Sequence, residues 1–270
     1  MKIVTTGRMV YLAIAIALLV SLQRMGLLDP NQLRPAAANL AEFFRGMFPP
    51  SMDVLRTLIE AMRETIEIAF VGTMLGFLFS LPLAFLATRT LFGPVVNAGA
   101  RLFIGLVRTV PSLLWAIIFV IGFGLGPAAG ALGIALYSTG YLGKLYYESF
   151  EAVDVEVLEA VNSVTKNRAQ LLSFAIIPES ANAIISQLLF MFEYNIRASA
   201  IMGFVGAGGI GFYILGYIQL LQYQNLLTAL LVTFVVVMVI DFLSMRVREL
   251  VISGGSFHRA RPPLSAGVLP

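Results

Sequence analysis

The chain has 270 residues, 59% of them hydrophobic and only 12% charged. A soluble domain carries roughly 25% charged residues, so a soluble fold is excluded and most of the chain belongs in lipid. It contains no cysteine, which removes disulfide frameworks, Cys-ligated zinc and thiol nucleophiles, and a net charge of +3 offers no basic surface for nucleic acid.

A helix needs about 20 apolar residues to cross the hydrocarbon layer, and the pattern predicts an all-α polytopic membrane protein of about six transmembrane helices. The first, Met9 to Leu22, is the shortest at 14 residues, and with Lys2 and Arg8 ahead of it also suits a signal-peptide core. No small-x-small cleavage site follows in "SLQRMG", so residues 1–28 read as a cytoplasmic N-terminus and a retained anchor, with Arg8 and Arg24 reaching for headgroups. Residues 29–64 form an outer segment in which Leu40, Phe43, Phe44 and Met47 share one helical face, the pattern of a helix lying at the interface.

Spans at Ile66 to Thr88, Leu102 to Phe123 and Ala128 to Tyr146 follow. Arg101 and Arg108 lie seven residues apart on one face and read as headgroup anchors, as does Lys144. Pro111 is placed to bend the third span. Residues 147–181 are then polar. There Leu158, Val161 and Val164 recur at helical spacing beside Glu151, Glu156 and Glu159, so a short amphipathic helix would present an apolar and acidic face to another protein. An ordinary solvated connector is the alternative.

Within this loop Glu159, Ala160 and Val161, then Thr165, then Ala175, Ile177 and Pro178 match the spacing E-A-A-x-x-x-G-x9-I-x-L-P without a gap. The loop therefore resembles that of the permease subunits of bacterial ABC importers. Thr165 occupies the glycine position of that motif, where Asn167, a residue tolerant of left-handed backbone, is available to supply the turn. "RTVPSLLWAIIFVIGFGLGP" (108–127), "FEYNIRASAIMGFVGAGGIG" (192–211) and "LLVTFVVVMVIDFLS" (230–244) are similar to permeases for phosphonates and related phosphorus oxyanions. The resemblance implies a type I ABC importer fold with a methionine-permease-like core of five helices within residues 65–250. It also implies a homodimer, two separate ATPase subunits on the cytoplasmic loop and an extracytoplasmic substrate-binding protein.

The same resemblance implies no cofactor in this chain, ATP and Mg belonging to the partner ATPase. Glu156, Glu159, Ala160, Val161, Val164, Thr165 and Pro178 are the expected ATPase contacts, Glu159 by pairing with a basic group. A short rigid helix between two spans is a lever for passing ATPase closure to the membrane helices. A G-x-x-x-x-G-K-[ST] phosphate loop appears nowhere, the only Gly-Lys pair being Gly143-Lys144 followed by Leu145, so this chain is expected not to hydrolyse ATP itself. Ser163 to Lys166 matches S-x-x-K without its companion motifs and is read as chance.

The fifth span, Asn182 to Phe204, carries Glu193, Asn195 and Arg197. A charge at the centre of a membrane helix costs on the order of 3 kcal/mol on insertion scales and needs a partner or a wet cavity. Glu193 and Arg197, four residues apart, share a helical face and can pair. They either neutralise each other between packed helices, or Arg197 and Asn195 face the dimer axis and offer an oxyanion a cationic, hydrogen-bonding passage. Next, Gly206, Gly208 and Gly211 stand in the G-x-G-x-x-G spacing, but a helix precedes them and the next acid, Asp241, is 30 residues on, so a dinucleotide site is excluded. Residues 203–216 are instead expected to break or re-enter at the outer mouth, with Gly206, Gly208 and Gly209 in an outer gate or in tight packing at the dimer seam.

The sixth span, Asn225 to Met245, is expected to hold an Asp241–Arg248 ion pair, and residues 251–270, with the solvated His258, form a cytoplasmic tail. Placing both termini inside leaves only Arg24, Arg34, Arg45, Arg56 and Arg63 outside, all in one segment, which obeys the positive-inside rule of a bacterial inner membrane. The rival is an ion-coupled secondary transporter of a small anion, using Glu193 for proton coupling. The polar loop argues against it. The cargo is left open among phosphonate, phosphite, phosphate and other small oxyanions.

Overall fold

The computed structural model describes residues 2–165 and 167–255, with side chains over 8–165 and 167–250. Lys166 and the tail beyond residue 255, with His258, lie outside the described residues. Among the described residues eleven α-helices run in chain order: α1 (Lys2–Arg24), α2 (Pro30–Met47), α3 (Leu55–Ala87), α4 (Pro94–Thr109), α5 (Ser112–Phe123), α6 (Pro127–Glu151), α7 (Val155–Val164), α8 (Arg168–Leu171), α9 (Ile177–Met202), α10 (Ile210–Gln219) and α11 (Tyr223–Gly255). A π-helical turn, Leu172–Ile176, joins α8 to α9, and a 3-10 turn, Gly203–Val205, ends α9.

Among the described residues three helical stretches, Leu55–Ala87, Arg168–Val205 and Tyr223–Leu250, are long and apolar enough to cross a membrane, and α4 and α5 make a fourth when the bent pair is taken as one span. The 25 residues of α6 extend about 37 Å, also enough to cross, although glycine and tyrosine dilute its apolar surface. Along α1 the side chains of Met9, Tyr11, Leu12, Ile14 and Leu18 all lie exposed, as a helix solvated by lipid requires.

The third expected span is two helices meeting at 86°. Val110 precedes a proline and is held extended (φ −83°, ψ 122°), which ends α4, and Pro111 then starts α5. The indole Nε1 of Trp115 donates to the Val107 carbonyl at 3.2 Å, satisfying one acceptor left open by the break.

α6 is the central element. Its glycines admit neighbouring backbones closely: a Cβ at Gly133 would stand 2.7 Å from the Ala116 nitrogen of α5, and one at Gly140 would stand 2.8 Å from the Arg108 nitrogen of α4. On α3, a Cβ at Gly76 would stand 2.4 Å from Ser138 of α6. Helices in lipid associate through such close packing because lipid tails are as apolar as leucine.

Two apolar clusters mark the two ends of the bundle. At one end Leu58, Met62, Ile196, Ile210, Ile214 and Leu226 join α3, α9, α10 and α11, with Met47 of α2 among them. At the other, Leu142, Tyr146 and Phe150 of α6 meet Leu171, Ala175 and Ile176 from the segment after α7. α2 is capped by Asp29, which accepts from Asn31 N at 2.9 Å, and packs through Phe43 on the Tyr223 ring of α11 at 4.9 Å. The apolar face predicted for it is therefore shared: Phe43 and Met47 meet the bundle, whereas Leu40 and Phe44 stay exposed.

Gly133→Ala is expected to destabilise the purified chain by about 1–3 kcal/mol through overpacking against α5. Gly99→Ala, where nothing lies within 4 Å of the added Cβ, should leave the thermal unfolding midpoint in detergent unchanged or slightly raised.

Candidate functional site

Three regions gather the chain's polar chemistry: the α7 segment, the charged pairs between α9 and α11, and the glycine-rich turn at the opposite end of the bundle.

α7 is a helix of ten residues with one face keyed to its own protein. Val157, Leu158 and Val161 pack on the cluster around Phe150, Leu171 and Ile176. Glu156, Glu159, Ala160, Ser163 and Val164 point away from it, Val164 being 88% exposed. This corrects the expected outward apolar face: Leu158 and Val161 anchor the helix, and of that trio Val164 alone is free. The turn after α7 needs no glycine. Thr165 is extended (φ −146°, ψ 144°), Asn167 is also at negative φ and caps α8 by accepting from Ala169 N at 2.9 Å, and Thr165 Oγ1 accepts from Asn167 N at 3.1 Å. The left-handed turn expected at Asn167 is therefore absent. Pro178 is the second residue of α9, directly after the π-helical turn Leu172–Ile176.

The start of this segment is tied to the α3–α4 turn. Glu151, the last residue of α6, accepts from Arg101 Nη2 at 2.5 Å and from the Arg89 backbone N–H at 2.8 Å. Arg101 Nε donates to the Ala87 carbonyl at 2.9 Å, the Asn97 amide donates to that same oxygen, and the guanidinium lies 4.4 Å from the Tyr147 ring centre. Side-chain exposures of only 22% and 25% for Arg101 and Glu151 correct the reading of Arg101 as a headgroup anchor. It is an internal strut that joins α3, α4 and α6.

The intramembrane charges also pair differently from the local expectation. Arg197 Nη1 donates to both carboxylate oxygens of Asp241 at 3.1 Å, and Arg248 Nη2 donates to Glu193 at 3.3 Å. Two ion pairs between α9 and α11 thus replace the expected pairs Glu193–Arg197 and Asp241–Arg248. The helices run antiparallel, so each basic group meets an acid of the facing helix, and each charge is neutralised across a helix boundary. Glu193 is engaged by Arg248 of the facing helix.

Asn195 is fully buried. Its amide nitrogen donates to Thr73 Oγ1 of α3 at 2.8 Å and to Ser138 Oγ of α6 at 2.9 Å, so it knots three helices. Arg197 borders open space. With Ser112, Leu113, Tyr194, Ala198, Ile201 and Met202 it lines a cleft of about 390 Å³ between α5 and α9.

The glycine-rich stretch is broken, with positive φ at Gly206 (80°), Gly208 (81°) and Gly209 (75°). Its partners belong to the same chain. Gly126 N donates to the Gly206 carbonyl at 2.9 Å, Ile210 N to Thr65 Oγ1 at 2.8 Å, and a Cβ at Gly208 would stand 2.6 Å from Glu64 Oε1. The turn seals α3, α6, α9 and α10 together at that end.

The described residues thus form a broken bundle of apolar helices with the half-exposed α7 at one end, the architecture of a multi-pass membrane protein. The chain belongs to the family described as binding-protein-dependent transport system inner membrane component, whose family model matches residues 72–254. The chain is 35% identical over 221 residues to the phosphite transport system permease protein of Stutzerimonas stutzeri, covering 82% of this chain and 80% of that protein. It is 37% identical over 208 residues to the phosphate-import permease protein of Mycolicibacterium smegmatis, covering 76% of this chain and 39% of that protein. Among solved structures, a methionine ABC transporter in an inward-facing conformation superposes with a TM-score of 0.66 at 20% identity, over 74% of this chain and 99% of that one, a likeness of fold.

Arg101→Ala leaves the Glu151 carboxylate and the Ala87 carbonyl short of partners in a largely buried place. A loss of about 2–3 kcal/mol in unfolding free energy is expected. Arg101→Lys should recover only part of it, because an ammonium cannot serve both acceptors with one planar fork; thermal unfolding of the three purified forms checks the order.

Proposed function

We propose that this chain is the membrane subunit of an ATP-driven importer that passes a phosphonate or related phosphorus oxyanion inward, as a homodimer driven by two separate ATPase subunits. The observation that carries the coupling is the two-sided character of α7. A helix clamped to its own bundle through Val157, Leu158 and Val161, with Glu156, Glu159, Ala160 and Val164 left outward, is built to transmit a push. The ATPase grips the outward face, Thr165 and Pro178 shape the segment that follows, and the Arg101–Glu151 strut carries displacement into α3 and α4. ATP and Mg are bound by the ATPase subunits, and hydrolysis occurs there rather than in this chain.

The α7 end is cytoplasmic, with both termini on that side, in keeping with the positive-inside distribution. An extracytoplasmic binding protein delivers cargo to the opposite end, where Gly206, Gly208 and Gly209 hold the turn that closes the bundle. The oxyanion reading rests on the relatives named for phosphite and phosphate transport and on Arg197. The Arg197 guanidinium borders the α5–α9 cleft and is shared with Asp241, so it offers an anion a contact that is easily released. A weak site suits a permease that must let its cargo leave.

Glu159→Lys is expected to insert normally and to bind the ATPase poorly. Oxyanion uptake by proteoliposomes containing the whole complex should fall at least tenfold, on the scale of about 1.4 kcal/mol of lost coupling energy per decade. Uptake at the unaltered rate would rule out the coupling role.

The paired exchange Arg197→Asp with Asp241→Arg keeps the interhelical bond and moves the cation across the cleft. Folding yield should match the unaltered protein, whereas transport should fall; full transport in the exchanged protein would show that Arg197 serves packing alone.

A further inference from the structure

Beside the Arg101–Glu151 strut lies a second cleft, of about 460 Å³, lined by Arg89, Phe92, Pro94, Asn97, Ala98 and Arg101. It is cationic. Arg101 spends its charge on Glu151, but the Arg89 side chain has no carboxylate partner among the described residues. Arg168 of α8 stands over the Phe92 ring, 5.6 Å from its centre, and is likewise without one. Two guanidinium groups, those of Arg89 and Arg101, thus line the cleft, and a third, that of Arg168, stands against its Phe92 wall.

The backbone adds to this. α4 begins at the cleft with Gly93 at its cap and Pro94 in its first turn, and no side chain caps it, so the positive end of a 16-residue helix faces the same space. Close by on α4, Val95 (84% exposed), Leu102 (65%) and Phe103 (47%) form an uncovered apolar surface. Cations at a helix start, bordered by bare aliphatic and aromatic side chains, match a phospholipid whose phosphate sits at the helix end and whose acyl chains run along α4.

We propose that this cleft holds the phosphate group of an anionic phospholipid from the adjoining leaflet, with Arg89 as its principal cation and Arg168 as the link to the α7–α8 segment. The lipid fastens that segment to the membrane surface and steadies the base from which α7 projects. The site itself rests on the geometry of α4 and its turn. Only its assignment to the cytoplasmic leaflet rests on the coupling role given to α7.

The test is native mass spectrometry of the full-length purified chain after exposure to phosphatidylglycerol or phosphatidylcholine. Phosphatidylglycerol should be retained and phosphatidylcholine lost. Arg89→Gln, which breaks no ion pair, should reduce the retained phosphatidylglycerol about tenfold, and Arg89→Lys should keep most of it. Equal thermal midpoints of these forms in phosphatidylcholine nanodiscs would show that folding is intact. Undiminished retention by Arg89→Gln overturns the proposal. So does displacement of the lipid by excess inorganic phosphate, which would make the ligand free phosphate.

Sidedness is read separately. The chain has no native cysteine, so Arg89→Cys can be labelled without background by a membrane-impermeant maleimide. Labelling from the cytoplasmic face is expected. Labelling from the outside alone would sink the inward placement of α7 while leaving the lipid site to stand or fall on the retention data.

Discussion

Close approach of backbones at α6 is the constraint on which the remaining structure depends. Gly133 and Gly140 let α5 and α4 come within contact of the α6 main chain, and Gly76 of α3 does the same from the opposite helix. In lipid no gain from removing apolar surface from water draws helices together, so fit and interhelical hydrogen bonds must do so. Once α3 and α6 are this close, a single amide on α9 can reach hydroxyls on both. The α7 segment and the glycine-rich turn are each seated on an end of this tight pair.

The charges follow from the same geometry. Glu193 and Arg197 sit on α9 and their partners on α11, so each helix brings one charge of either sign to the shared boundary. Opposite charges across an interface oppose sliding and rotation of α11 more firmly than pairs within one helix. At the other edge of the bundle, Arg101 and Glu151 do the same for α4 and α6.

Much of this was legible in the residues. The apolar runs located the membrane helices, Pro111 marked the bend, and the acidic repeat around Glu159 marked a helix with a free face. The spacing of Gly206, Gly208 and Gly209 announced a break, because three positive-φ positions suit glycine and oppose a straight helix. Tertiary partners were not legible. Helical spacing suggests Glu193 with Arg197, but the true partners lie 44 and 55 positions away and become neighbours only through the antiparallel path of α9 and α11. The Arg101 strut spans 50 positions and likewise leaves no local trace. The amide of Asn195 is conspicuous in an apolar run, but its partners Thr73 and Ser138 lie 122 and 57 positions away. Thr165 looked like a defect at a glycine position, yet the backbone there is extended and any residue can adopt it.

The knot of Asn195, Thr73 and Ser138 has a consequence for how this protein diversifies. Thr73 already gives its own proton to the Ala69 carbonyl at 2.6 Å, so its oxygen has only acceptance left to offer the amide. A methyl in place of either hydroxyl would strand a buried donor, and an aliphatic residue at 195 would abandon two receivers at once. Changing any one member alone therefore costs more than exchanging the whole trio for an apolar set of equal volume.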